Sequence, residues 1–246
     1  MIYAEFIPHM KRYFEYPNFL GERILLFGFQ DIAIHPVFTT GWSDLSWRRR
    51  LLKIRYWLNH RLIDIPSEFE LPTLTAVLKA KGSCVDEIDL FDQRATIHLD
   101  MNHPMGPSSY EQYNTLIDIG SLEHVFDTRQ AIDNCFRMIK VGGYYLLSTP
   151  VKGYFGHGFH TFNPDALRQA ITLNGFEICD EMFTDRFTKM RSPGHRFSAE
   201  ASIWLLARKL KPLDAFVIPQ QRFWVEFYGA QTTDSAGVMK HYREAL

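Results

Sequence analysis

The chain has 246 residues, of which 46% are hydrophobic, 22% charged and 15% aromatic, a composition that buries a large core and excludes a disordered, collagen-like or coiled-coil polypeptide. Its 27 Lys+Arg against 28 Asp+Glu leave a net charge of -1, so no global field recruits nucleic acid and any charged partner must be met locally. The three cysteines, Cys84, Cys135 and Cys179, are scattered without a Cys-x-x-Cys pair, which excludes a disulfide framework and a zinc ribbon and fits a reducing, cytoplasmic setting.

Met1-Ile2-Tyr3-Ala4-Glu5-Phe6 meets an acid by its fifth residue and has no basic flank followed by an apolar run, so no signal peptide is expected. No stretch approaches the roughly 18 uncharged apolar residues of a spanning helix, so no stable membrane insertion is expected either. Short apolar runs at 23–27, 84–88, 95–99, 115–119 and 144–148 end in Gly, Asp or Pro and alternate with helical stretches, the pattern of a parallel sheet flanked by helices. The first two runs lie too far apart for a regular β-α-β unit, and residues 35–81 are read as an insertion. Within it Trp47, Leu51, Ile54, Leu58 and Leu62 share a helical face while Arg48, Arg49, Arg50, Lys53, Arg55 and Arg61 supply positive charge. Such a basic amphipathic helix reads first as a solvated helix packed on the sheet, with a lid over an anionic substrate and a membrane-surface element as the alternatives.

Residues 127–140 place Ile132, Cys135, Phe136 and Ile139 on one face and are followed by Gly142-Gly143, which predicts an amphipathic crossover helix. A further helix opens at Asn163-Pro164-Asp165 and ends at Asn174-Gly175. The last apolar runs, 176–183 and 201–207, are expected to pair as a long hairpin at the sheet edge. The tail, 209–246, carries Phe216, Phe223, Trp224, Phe227 and Tyr228 without a clear period. It reads as a surface extension through which copies of the chain could associate, with 1–208 as the α/β domain.

Chemistry concentrates at the ends of the predicted strands. Gly28, followed by Phe29 and Gln30, closes the first strand where a glycine lets a nucleotide approach the backbone; a plain tight turn explains it as well, and Gln30 stands where the second glycine of a G-x-G pattern would be. Asp89 closes the second strand, where an acid can accept ribose hydroxyls, and Asp100 closes the next, followed by Met101. Single acids at strand ends are usually just solvated, but acids on adjacent strands along the ligand-binding edge point to a site. His124 follows the fourth strand; His157 and His160 follow the fifth in Gly156-His157-Gly158-Phe159-His160. Their imidazoles can act as bases near neutral pH, or they can be a helix-start residue and a structural loop pair.

The stretch Asn114-Thr115-Leu116-Ile117-Asp118-Ile119-Gly120-Ser121-Leu122-Glu123-His124-Val125, then Arg137-Met138-Ile139-Lys140-Val141-Gly142-Gly143, Ser148-Thr149-Pro150 and Phe162-Asn163-Pro164-Asp165 to Gly175-Phe176 resembles the class I S-adenosylmethionine-dependent methyltransferases over roughly residues 22–208. The resemblance implies a doubly wound, Rossmann-like α/β fold with a seven-stranded sheet, mostly parallel with the last strand antiparallel, carrying the insertion after strand 1 and the C-terminal extension. It implies S-adenosylmethionine as cofactor, with Gly28, Phe29 and Gln30 near its amino-acid moiety, Asp89 on the ribose, Asp100 and Met101 beside the adenine, and Gly120 and Ser121 bordering the sulfonium.

Methyl transfer from a sulfonium is an in-line displacement, so the protein must align the acceptor and, for a hydroxyl, remove its proton. His157, His124 and His160 are the candidate catalytic residues, which favours O-methylation of a small molecule or of a sugar or glycan precursor. An Asn/Asp-Pro-Pro-Tyr/Phe motif for a planar base amino group is absent after the fourth strand, and a nucleic-acid substrate is not expected. Two rivals stand beside this reading. One is a methyltransferase-like binding or scaffold protein without catalysis, suggested by Gln30 and the aromatic tail. The other is a non-haem iron site built from His98, Asp100 and a remote histidine, which conflicts with the alternation of strands and helices; no metal is expected.

Overall fold

Central strands buried on both faces build this fold. In the computed structural model, which describes residues 2–3, 7–33, 73–185, 189–191 and 200–221, successive side chains of β2 (Arg23–Phe27) point to opposite faces. Leu25 joins one apolar cluster while Ile24 and Leu26 join the other, so both faces of the strand need a cover of helices. The short strands β1 (Ile2–Tyr3) and β3 (Ile32–Ala33) pair separately as a parallel two-stranded sheet. The main sheet contains β4 (Cys84–Ile88), β5 (Tyr113–Ile119), β6 (Ile139–Lys152), β7 (Phe176–Asp185), β8 (Lys189–Arg191) and β9 (Ala201–Lys209) in the order β4-β2-β5-β6-β9-β7-β8. Six strands form its body, and the three-residue β8 lies on the edge beyond β7.

The four strands β4, β2, β5 and β6 run parallel, so their carboxyl ends share one edge. β9 is antiparallel to both β6 and β7. The hairpin expected from residues 176–207 therefore forms with its second strand inward. Helices α1 (Ile7–Phe14) and α2 (Leu74–Lys79) supply Met10, Tyr13, Leu74 and Leu78 to the cluster that includes Trp204. On the other face α3 (Thr128–Met138) and α4 (Pro164–Leu173) bury Phe136, Leu167 and Ile171 against Leu116, Tyr145 and Leu205. Truncating a ring as enclosed as that of Phe136 costs about 3–5 kcal/mol in such cores. Asn163 caps α4 as expected, accepting from the Asp165 N–H at 2.8 Å.

Several elements differ from the sequence reading. The run 95–99 is not a ladder strand; it contributes an isolated parallel bridge between Ile88 and Ile97. α3 ends at Met138, and Ile139 is the first residue of β6, paired with Tyr113. Gly142 and Gly143 thus lie within a strand rather than stopping a helix. α1 was not expected, although Met10, Tyr13 and Phe14 have helical spacing. Residues 74–79, at the end of the supposed insertion, are the crossover helix between β2 and β4; the basic stretch 47–62 lies outside the described residues. The beginning of the tail packs on the domain. Leu213 and Phe216 lie against the Phe136 cluster, and Asn174 exchanges two hydrogen bonds with the Val217 backbone, at 2.7 and 3.0 Å. Tail residues 222–246 lie outside the described residues. No described helix is long and apolar enough to cross a membrane.

Candidate active site

The shared edge opens on a cavity of about 570 Å³ bordered by Gly28, Phe29, Gln30, Asp89, Asp100, Met101, Gly120, Ser121 and His124. The crevice past the carboxyl ends of strands is where open α/β sheets bind ligands. Of the residues singled out from the sequence, those expected around a nucleoside and its amino-acid group all border this one space.

Each wall has a physical cause. Gly28 leaves β2 with φ +83°, and its N–H donates to the Ile88 carbonyl at 2.7 Å. A Cβ there would fall 2.3 Å from Ser121 Oγ, which itself donates to the Phe27 carbonyl at 2.6 Å. Glycine is therefore required twice, by the left-handed backbone and by the close approach of two loops. Ser121 is fixed from behind by Asp118, whose Oδ1 accepts from the N–H groups of Ser121 and Leu122 while Oδ2 accepts from the Tyr145 hydroxyl at 3.0 Å. Burial, reinforced by the nearby charge of Glu123, pushes the Asp118 carboxyl up to about 8.

Asp89 organises its loop. Its Oδ2 accepts from Phe29 N–H at 3.1 Å, and its Oδ1 accepts from Phe91 N–H at 2.9 Å and Asp92 N–H at 3.0 Å. Burial raises its pKa, but these three backbone donors outweigh that and hold the carboxyl below its ordinary value. A carboxylate offers about four lone-pair sites, so Asp89 retains one for a ligand and cannot alone take a pair of ribose hydroxyls. Asp100 is similarly engaged through Oδ1 by the backbone and side-chain N–H groups of Asn102. Arg94 ties the loop after β2 to the loop after β4, pairing with Asp31 and Asp92 and lying 4.1 Å from the centre of the Phe29 ring.

Gln30 is buried. Its Nε2 donates to the Ile119 carbonyl at 3.1 Å, whereas its Oε1 has no partner among the described residues. The residue that breaks the glycine pattern thus lines the cavity while its unpartnered oxygen stays enclosed.

The three histidines do not behave alike. His124 ends a short 3-10 turn, Leu122–His124, and borders the cavity. The His157 ring lies 5.0 Å from it, and His157 Nε2 is 3.8 Å from Oε1 of the buried Glu123. Burial and then the neighbouring His157 lower the His124 pKa. His160 is turned away, its Nε2 meeting the Phe126 carbonyl at 3.0 Å, and of the three histidines His124 alone lines the cavity, with His157 behind it. The structure therefore brings His124 and His157 together and leaves His160 as a loop anchor. Glu123 was missed because a lone acid in a short helical turn reads as solvated, yet its Oε2 accepts from the Thr149 hydroxyl at 3.0 Å in the interior.

The sequence reading also missed the apolar rim. Leu90, Phe91, Leu99, Phe126 and Phe159 border the cavity with much of their surface in solvent. Large apolar side chains gathered in the open around one cavity mark a ligand site better than any one of them would. Phe126 and Phe159 meet edge to face at 5.7 Å.

A curated protein of Mycolicibacterium smegmatis named "Probable S-adenosylmethionine-dependent methyltransferase" matches 78 residues at 31% identity, 28% of this chain and 30% of that protein. The chain thus spans less than a third of this relative's length. Among solved structures, an S-adenosylmethionine-dependent methyltransferase from Archaeoglobus fulgidus has a TM-score of 0.46 at 12% identity, over 82% of this chain and 92% of that one. A Burkholderia thailandensis 1,6-didemethyltoxoflavin-N1-methyltransferase, solved with bound 1,6-didemethyltoxoflavin and S-adenosylhomocysteine, has a TM-score of 0.45 at 13% identity, over 85% of this chain and 79% of that one. At these values the structural likeness is distant. No protein-family model matches the chain. In its motifs and its curated match, the chain resembles a class I S-adenosylmethionine-dependent methyltransferase.

Proposed function

We propose that the chain transfers a methyl group from S-adenosylmethionine to a hydroxyl of a small molecule or of a sugar or glycan precursor. The observation that carries this reading is one cavity with two unlike walls: Gly28, Gln30, Asp89, Asp100 and Gly120 on one, and His124, backed by His157 and Glu123, on the other.

The residues present fit the donor. Gln30 Oε1 is an enclosed acceptor without a partner among the described residues, which a rotation of the side chain would turn to a cationic N–H group, such as the α-ammonium of a methionine moiety. The remaining lone-pair site of Asp89 suits one ribose hydroxyl, and Met101 with Phe91 and Leu99 supplies an apolar seat for a purine. When bound, S-adenosylmethionine supplies a methyl group on a positively charged sulfur. The chain's own work is to align an acceptor oxygen beside Gly120 and Ser121 and to remove its proton, and proton removal falls to His124 and His157. Orientation alone contributes much of such catalysis, and proton removal adds about 10²- to 10⁴-fold.

Calorimetry with S-adenosylmethionine and S-adenosylhomocysteine tests the reading. Saturable heat with one equivalent per chain is expected. Absence of heat and of any thermal shift with both compounds would leave a non-catalytic module.

A further inference from the structure

We propose that Glu123, His124 and His157 bind a divalent transition-metal ion, zinc or one of similar preference, which holds the acceptor oxygen at the mouth of the donor cavity. The ion's catalytic role rests on the methyl-transfer reading above, whereas its binding does not.

Each of the three side chains offers one ligand atom, and these atoms all lie within 4.8 Å of one another, with 3.8 Å between His157 Nε2 and Glu123 Oε1. Around an ion about 2.0–2.2 Å from each ligand, donors stand roughly 3–4 Å apart, so small rotations of the two exposed imidazoles complete the set. Two imidazoles and a carboxylate suit zinc, cobalt or iron better than magnesium or calcium. Three protein ligands leave open positions, as catalytic rather than structural sites do, and His124 places them at the cavity.

The surroundings hold this trio in place. Thr149 orients the Glu123 carboxylate through Oε2, leaving Oε1 toward His157. The His157 loop is fastened to the Glu123 backbone, whose carbonyl accepts from Phe159 N–H at 2.9 Å and His160 N–H at 3.2 Å. Gly158 permits this contact, since a Cβ there would fall 2.9 Å from the same carbonyl oxygen. Outer contacts of this kind orient metal ligands. The set departs from the metal-free expectation because its third member lies 33 positions beyond His124 in sequence, with no ligand spacing to betray it. The alternative set is not assembled: His98 Nδ1 meets the Asp89 carbonyl, and Asp100 is engaged by Asn102. Among the described residues no other three such groups converge.

With an ion in place, His124 and His157 act as ligands, and the acceptor hydroxyl loses its proton to water from the ion-bound oxygen. That oxygen's electron pair forms the new O–C bond as the C–S bond breaks, and the C–S pair stays on sulfur. Sulfonium and alkoxide become thioether and ether, with one proton released and the ion unchanged.

The experiment uses the full chain stripped with EDTA and titrated with Co²⁺, followed by calorimetry and by visible absorption. One equivalent per chain with ligand-field bands is expected. Binding should be lost in His124→Ala and His157→Ala, whose exposed side chains can be removed without opening the core, and kept in His98→Ala. Thr149→Val should weaken it about 10- to 100-fold. S-adenosylhomocysteine is titrated into the same stripped protein. Its binding without any Co²⁺ uptake overturns the metal site and leaves the donor reading intact. Co²⁺ uptake unchanged in the His124→Ala/His157→Ala double variant also overturns the site. Uptake at the trio without S-adenosylhomocysteine binding supports the site and removes the ion's role in methyl transfer.

Discussion

The two walls of the cavity are built on opposite principles. On the donor side polar groups are already engaged: Asp89 accepts three backbone N–H groups, and Arg94 joins Asp31, Asp92 and the Phe29 ring. On the acceptor side His124 and His157 reach solvent over a buried Glu123. On the proposed reading, the wall held by its own backbone binds the donor, whereas the wall of solvent-reaching side chains does the chemistry. Substitutions should therefore separate binding from turnover according to the wall they touch.

The largest separation is expected at His124, which borders the cavity. Its replacement by Ala should lower turnover about 10²- to 10⁴-fold, and His157→Ala, which removes the ring beside it, similarly, with S-adenosylhomocysteine affinity unchanged, because these groups act in the transition state. Turnover measured by release of the demethylated product, beside calorimetry, checks it. An equal loss of donor affinity would mean that the two walls are one site. His160→Ala should leave turnover near the unmodified rate, since that ring is bound to Phe126.

Asp118 underlies the corner between the walls, and its effect is on stability. Its folded-state pKa of about 8 lies above the ordinary carboxyl value, so the native state holds a proton that the unfolded chain releases. Stability from this group is full below about pH 4 and is lost as pH rises through about 8. In Asp118→Asn the amide oxygen can still accept from Ser121 and Leu122, and the pH-dependent loss should disappear. Denaturant midpoints from pH 5 to 9 measure it; an unchanged slope in the variant would show that Asp118 is not its source.

Strand positions were legible because β2 is short and apolar and closed by Gly28, and β4 is short and closed by Asp89, and the cap of α4 was legible because Asn163-Pro164 is a local signal. The run 95–99 was misread because apolar content alone does not supply a pairing partner: its backbone makes a single bridge, Ile97 to Ile88, and Thr96 meets Glu87 only through its hydroxyl. Ile139 was misread because an apolar residue at helical spacing suits a strand start equally well. That Gly28, Asp89, Asp100 and Gly120 would border one space was legible since they sit at or just past strand ends. Glu123 and the aromatic rim were not, since their meaning depends on Thr149, His157 and Phe159, brought close only by folding.

On the donor wall the expected effects are smaller. Asp89→Ala removes the acceptor for three backbone donors and one ligand hydroxyl, and should weaken donor binding by roughly 1–3 kcal/mol. Asp89→Asn, which keeps one oxygen, should lose less. Calorimetry with S-adenosylhomocysteine decides; intact affinity in the Ala variant would remove Asp89 from the nucleoside site and leave it as a loop brace.

The smallest effect is expected at Gln30, where the wall departs most from a glycine turn. The backbone carbonyl of Gln30 accepts the first N–H of α2 from Leu74 at 2.9 Å, and that bond survives any side chain. The side chain has one engaged end and one unmet end: Nε2 on the Ile119 carbonyl, Oε1 without a partner among the described residues. Gln30→Gly should therefore keep the fold, with stability falling by about 1 kcal/mol for the lost hydrogen bond. If Oε1 receives the donor's ammonium group, S-adenosylhomocysteine affinity should fall roughly two- to tenfold, the range of one hydrogen bond. Thermal unfolding and calorimetry on the same variant separate the two ends. A large drop in stability with unchanged affinity would assign the residue to the turn alone, and the methionine end would then be held by backbone groups at Gly28 and Gly120.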